Sequence, residues 1–212
     1  MSTEPKIRRG RSADLQKRDE IVLSAKRSFF DHGYAATSIE AIAAKAGVSK
    51  VTIYNHFGDK RGLFTAAVEH ECENIRGQLL FDESSGSVRD RLLAFGRSMV
   101  AFLSRPEMIR FEQRIAAEVE LEPELGECFL EAGPRRMHRA LAQLLEREHG
   151  RGSLKIDDPM QAAEQLAAMC KGLADMERRF TGHSDTTAAD RRVQSAVDLF
   201  LRGYGTGRCR AQ

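Results

Sequence analysis

Tryptophan is absent from this 212-residue chain, tyrosine occurs three times and proline five times. The prolines (Pro5, Pro106, Pro123, Pro134, Pro159) stand far apart, which excludes polyproline and collagen-like segments. No run approaches the roughly 18 apolar residues of a membrane-spanning helix, so no membrane partner is expected. β-branched residues almost never alternate with polar ones, which argues against strands. Cys72, Cys128, Cys170 and Cys209 show no CxxC or zinc spacing, and a chain this long needs no disulfide framework. Reduced thiols and a cytoplasmic location are expected. The start, Met1 to Lys6, leads into charge and not into the apolar stretch of a secretion signal. No nucleophile–base set or cofactor loop stands out, so neither catalysis nor a cofactor is expected.

What the chain does contain is 42% hydrophobic and 30% charged residues, enough apolar material for a core. Its formal charge of +2 is unevenly spread. Residues 1–62 carry a net +5 and the remainder a net −3, as when one end of a protein meets a polyanion. Ala, Leu, Glu, Arg and Met recur at helical spacing, so the fold class is all-α. The expected organisation is a flexible basic arm (1–12), a helix-turn-helix DNA-binding domain (13–77), a helical ligand-binding and dimerisation bundle (78–205) and a flexible tail (206–212). The first helix should run from about Asp14 to His32, with Ile21, Val22, Ala25 and Phe29 inward and Gly33 as its stop. Thr37 and Glu40 are spaced as a capping box for the second helix, which ends at Gly47. Ser49 caps a short third helix, Lys50 to His56, and Asp59 a fourth carrying Leu63, Phe64, Ala67 and Val68. After the Ser84–Ser87 linker, helices are expected over 88–104, 107–120, 124–149 (kinked or divided at Pro134), 159–181 and 186–203.

Function is concentrated in Ser38 to Phe57. Ile39, Ile42, Ala43 and Ala46 give one helix an inner face, Gly47 permits a sharp turn and Val48 plugs the corner. Ile53 and Phe57, four apart, seat the next helix against the first, whose small Ala43 and Ala46 let the two axes approach closely. This is a helix-turn-helix. The second helix exposes Ser49, Lys50, Thr52, Asn55 and His56, with Tyr54 partly exposed. Hydroxyls, an amide, cations and a phenol suit phosphate and base-edge contacts, and free N–H groups at the helix start favour a phosphate.

From about Leu15 to Ile75 the sequence resembles the DNA-binding domain of TetR-family bacterial transcriptional regulators. The resemblance rests on Ile21, Ala25 and Phe29 before Gly33, Thr37-Ser38, Ile42-Ala43, Ala46-Gly47-Val48-Ser49, Ile53-Tyr54, His56-Phe57, and Lys60 ahead of Leu63-Phe64. It implies phosphate contacts from Thr37, Ser38 and Lys60, major-groove positions for Lys50, Val51 and Thr52, and backbone contacts from Tyr54 and His56. Val51 stands where glycine is frequent and Asn55 where an aromatic is frequent. Farther on, Arg114…Glu118, Glu122-Pro123-Glu124-Leu125, Gly133-Pro134, Gly152 and Asp158-Pro159 resemble the C-terminal domain of AefR-like regulators.

Apolar stripes in the second domain suggest an adaptable cavity for an unknown small-molecule effector, beside the simpler reading of plain core. Its candidate lining is Met99, Phe102, Met108, Phe111, Ile115, Phe129, Met137, Met169, Leu173 and Met176. Arg114 is the candidate polar anchor, unless it and Arg110 are surface ion-pair partners. In the last two helices, Leu166, Cys170, Val193, Val197, Phe200 and Leu201 are the expected homodimer interface, as the resemblance implies; packing within the subunit is the alternative. No metal site is expected, because Gly58 separates His56 from Asp59. Ser49 is a cap and not a nucleophile, and Glu118, Glu122, Glu124 and Glu127 read as a solvated acidic run. The chain is thus expected to bind a double-stranded operator as a homodimeric repressor released by a ligand. The alternatives are a small all-α enzyme or a protein-interaction dimer with incidental DNA affinity.

Overall fold

The computed structural model describes residues 7–81, 86–182 and 185–206, and side chains within them except at 7–13, 74–81 and 186. The first six residues of the expected arm, Ser84 and Ser85, His183, Cys209 and the tail from 207 lie outside the described residues. The described chain consists of α1 (Ile7–His32), α2 (Ile39–Ala46), α3 (Lys50–Phe57), α4 (Lys60–Phe81), α5 (Val88–Leu103), α6 (Pro106–Glu118), α7 (Pro123–Ala132), α8 (Pro134–Gly150), α9 (Pro159–Lys171), α10 (Ala174–Thr181) and α11 (Thr186–Tyr204). No strand occurs among the described residues, and one isolated antiparallel bridge joins Leu154 to Gly205.

The helix ends follow local chemistry. Ser87 and Asp90 form a capping box at α5, and Asp158 and Asp185 accept two amides each at the starts of α9 and α11. Three boundaries differ from expectation, and the division at Pro134 is one of the two forms expected. α1 is helical from Ile7, inside the expected arm, and Gly10 within it costs only about 1 kcal/mol. α2 is capped by Ser38, not Thr37. The 124–149 stretch divides cleanly, with Gly133 as the cap and Pro134 in the first turn of α8, where its missing N–H is no loss. The 159–181 stretch breaks at Gly172, whose φ of 56° is left-handed and whose Cβ would lie 2.9 Å from Arg192 Cδ.

The chain falls into two units: one holds the chain up to Glu71 plus Arg114–Ala132, the other Cys72–Gln113 plus the chain from Gly133 onward. Residues 114–132, expected in the second domain, are therefore grouped with the head. In the first unit Ile21, Ala25, Phe29, Ile42, Ile53, Leu63 and Phe64 are fully buried. Phe29, Tyr34 and Phe64 form a ring cluster with centroids 5.3–5.8 Å apart, stacked or edge-on.

In the second unit α5, α8, α9 and α11 enclose an aliphatic core that includes Leu92, Leu141, Leu145, Leu166, Cys170, Val193, Val197 and Phe200. This corrects the expected dimer interface. Leu166, Cys170, Val193, Val197 and Phe200 are at most 1% exposed within one chain, and Leu201 packs partly buried against them. The stripes of α9 and α11 cover each other and α8, leaving those side chains nothing to offer a partner. Burial also pushes the Cys170 thiol up to about 11, so it stays neutral. Glu148, 1% exposed, is held by Arg91 and Arg151 at 2.7 Å each.

Candidate nucleic-acid interface

The turn between α2 and α3 needs Gly47: its φ is 64°, and its amide reaches back to the Ala43 and Ala44 carbonyls. Val48 is half-buried in the corner and Ile53 is fully buried, which fixes the rotation of α3. Ser49 caps α3 by accepting from the Thr52 amide at 3.1 Å, with the two hydroxyls 2.9 Å apart. Val51 and Tyr54 are then 64% and 46% exposed, a cost in solvated apolar surface that a groove of methyls and sugars would remove. Lys50 and Asn55 are also exposed and Thr52 is half-buried. Ser38, exposed at the start of α2, accepts from the Ala41 amide at 3.1 Å.

Other candidates are already engaged. Thr37 is 4% exposed and its hydroxyl donates to the Gly33 carbonyl at 2.6 Å, with the Ser28 carbonyl at 3.1 Å. Its expected phosphate contact is corrected: this hydroxyl serves the head's interior. Lys50 is salt-bridged to Glu40 at 2.9 Å. That hydrogen bond raises the lysine and lowers the carboxyl from their ordinary ranges. His56 is half-buried with Nε2 3.4 Å from Asp14 of α1, which ties the end of α3 to the first helix. Lys60 Nζ lies 4.3 Å over the Tyr34 ring and 3.5 Å from the Ala35 carbonyl oxygen, and burial lowers its pKa. Burial likewise pushes the Tyr34 phenol up to about 12, with Glu122 adding to it.

Three residues reach this head from far along the sequence. Glu118 is not part of a solvated run: its Oε2 accepts from the Tyr34 and Ala35 amides at 2.9 and 3.2 Å. Arg114, expected to anchor a ligand, donates instead to the Phe30 carbonyl. Arg61 pairs with Glu124. A helix-spaced Arg/Glu pair is the only signal the sequence carries for this, and it names no partner.

Two residues of the expected effector lining stand exposed. Leu173 and Met176 are 70% and 58% exposed, because the break at Gly172 turns α10 away from the core stripe of α9. Met99, Met108, Phe111 and Ile115 are buried, and Phe102, Phe129, Met137 and Met169 half-buried. Arg114, Ile115 and Phe129 fall in the first unit and the others in the second. A cleft of about 200 Å³ opens instead between α5 and α11, lined by Arg97, Val100, Ala101, Ser104, Ala189, Asp190 and Val193. Among the described residues no group of three or more His, Cys, Asp or Glu could hold a metal, and no helix is long and apolar enough to cross a membrane.

Residues 21–67 match the family described as bacterial regulatory proteins, tetR family. Residues 90–206 match the C-terminal domain of AefR-like transcriptional repressors. A TetR-family transcriptional regulator from Mesorhizobium loti is 30% identical, with a TM-score of 0.75 over 91% of this chain and 98% of that one. The flavonoid-responsive regulator FrrA is 31% identical, with a TM-score of 0.72 over 91% and 98%. The HTH-type regulator YezE of Bacillus subtilis is 26% identical over 82% of this chain and 88% of its own length. Similarity to the HTH-type transcriptional activator FasR of Mycolicibacterium smegmatis, 35% identical, spans 28% of this chain and 27% of that protein.

Proposed function

The chain belongs to the TetR family of bacterial transcriptional regulators, and from that premise we propose that it is a cytoplasmic repressor that binds a palindromic operator as a homodimer and is released by a small ligand. It is a regulator and not an enzyme. The observation that carries the proposal is the exposed face of α3. Lys50, Val51, Tyr54 and Asn55 stand outward on a helix whose rotation is fixed by buried Ile53. In this reading α3 enters the major groove, Thr52 and Asn55 address base edges, and Ser38, Ser49, Tyr54, His56 and Lys60 hold the backbone.

Two-fold symmetry would set the two α3 helices about 34–36 Å apart. The surface for that pairing is the outward side of α9 to α11, where Leu173, Met176, Phe180 and Leu199 are 53–84% exposed, and not the buried stripes. The effector is a compound with apolar area, consistent with the flavonoid response named for FrrA. A ligand shifts the equilibrium only by its differential affinity for the two states, typically about 1–3 kcal/mol or 5–150-fold.

Binding-site selection with the full chain, followed by salt titration on the winning sequence, tests the reading. A palindrome whose affinity falls steeply with salt is expected, with dimers in sedimentation; recovery of no preferred sequence would overturn it.

A further inference from the structure

We propose that Arg114 and Glu118, at the C-terminal end of α6, are positioning residues of the DNA-reading head, acting through the corner between α1 and α2. The proposal rests on the DNA-binding reading above and adds to it two residues outside the helix-turn-helix.

The corner has little structure of its own to hold it. α1 ends at His32 and α2 begins at Ile39; between them the Gly33 amide returns to the Phe29 carbonyl and the Thr37 amide to the Tyr34 carbonyl, while the Tyr34 and Ala35 amides go to Glu118. Tyr34, 5% exposed, has its amide where water reaches it poorly. Glu118 supplies one carboxylate oxygen to this amide and the next. Bonds from N–H groups to a carboxylate are roughly twice as strong as neutral ones. Arg114, one helical turn earlier on the same face of α6, takes the Phe30 carbonyl in the last turn of α1. A guanidinium there also complements the negative end of that helix. The pair therefore grips the end of α1 with a cation and the chain just beyond it with an anion.

Gly33 records the fit. Its φ is 86°, and a Cβ at that position would collide with the Glu118 carboxylate. From α4, Lys60 reaches the same two residues, over the Tyr34 ring and toward the Ala35 carbonyl. Thr37 closes the corner from inside through the Gly33 carbonyl. Each link meets the few residues that decide where Ser38 starts α2 and where Lys60 is held. A carboxylate beside a surface meant for DNA would ordinarily repel it. Here both amides draw that charge inward, so Glu118 orients the head without facing phosphate.

The test uses the full-length protein and the palindrome that the wild type selects. Glu118→Ala should weaken binding to that palindrome about tenfold, a loss of about 1.4 kcal/mol, leaving non-specific affinity and the salt slope unchanged. Hydrogen exchange at the Tyr34 and Ala35 amides should accelerate. Glu118→Gln, whose amide oxygen can accept both N–H groups, should stay within about threefold of wild type on the scale of a neutral hydrogen bond. A merely structural role would move the melting temperature but neither the specific-to-non-specific ratio nor the rescue by glutamine. If Glu118→Ala loses helical signal at the binding temperature, Glu118→Asp replaces it with the same expectation, its carboxylate being one methylene short. Wild-type affinity and exchange in the alanine or aspartate variant would overturn the proposal, as would a glutamine variant as impaired as alanine. A wild type that selects no sequence would overturn the DNA reading itself, a result seen before any variant is made.

Discussion

The two units solve opposite problems with the same kind of element, the amphipathic helix. The head packs Phe29, Tyr34 and Phe64 face to edge and leaves α3 an outward face of Val51, Tyr54, Lys50 and Asn55. The second unit uses its apolar stripes on itself: α5, α8, α9 and α11 bury Leu166, Val193, Val197 and Phe200 completely or nearly so. Its exposed apolar residues, Leu173, Met176, Phe180 and Leu199, lie off those stripes. The contrast teaches that a helical stripe shows which face is covered, whereas a residue left over from it shows where a partner can sit.

The contrast breaks first at Leu166. Leu166→Glu puts a carboxylate into a fully buried position, and the second unit should lose its cooperative thermal transition; even Leu166→Ala should cost about 2–5 kcal/mol. Leu199→Glu, at a 53% exposed site, should leave the melting temperature nearly unchanged while shifting sedimentation toward monomer. A Leu166→Glu protein that melts like wild type but sediments as a monomer would restore the buried stripe as the interface.

Within the head, Asn55→Ala should cost about 1–3 kcal/mol on the selected palindrome and relax preference at one or two positions, with stability unchanged. Selection with that variant returning the wild-type motif would assign Asn55 to phosphate or solvent. Thr37→Val inverts the pattern. Losing a buried hydroxyl bond should lower unfolding free energy by about 1 kcal/mol and leave the salt slope alone. A slope reduced by about one unit would return Thr37 to the phosphates.

The smallest effect is alkaline. The Tyr34 phenol, held near 12 by burial against an ordinary 10, binds its proton more tightly folded than unfolded. Its contribution is complete below pH 10 and lost as pH rises from 10 to about 12. Thermal melts across that window should fall less steeply for Tyr34→Phe than for wild type.

Much of the head was legible because its signals are local: Gly47 at the turn, Ser49 before α3, and Ile53 with Phe57 spaced one turn apart. The all-α class followed from composition and spacing for the same reason. Thr37 and Ser38 are both good caps, and only the inward hydrogen bonds of Thr37 decided between them. The partner of a stripe was not legible. Leu166 and Val197 carry the same pattern whether they face a copy or their own chain, and long-range packing settled it. Nor did five glutamates in ten residues (Glu118, Glu120, Glu122, Glu124, Glu127) reveal that the first meets amides more than 80 residues earlier.

That last separation has a consequence during synthesis. Glu118 lies 83 residues after Ala35, which at about 5–20 residues per second means it is made some 4–17 s later. The first three helices of the head, whose contacts are close in sequence, can assemble as they leave the ribosome. For those seconds the corner amides have only water to bind. The reading surface is thus born loose and tightened afterwards, and a chain stalled before α6 is complete would display every DNA-facing residue without the carboxylate that sets their frame.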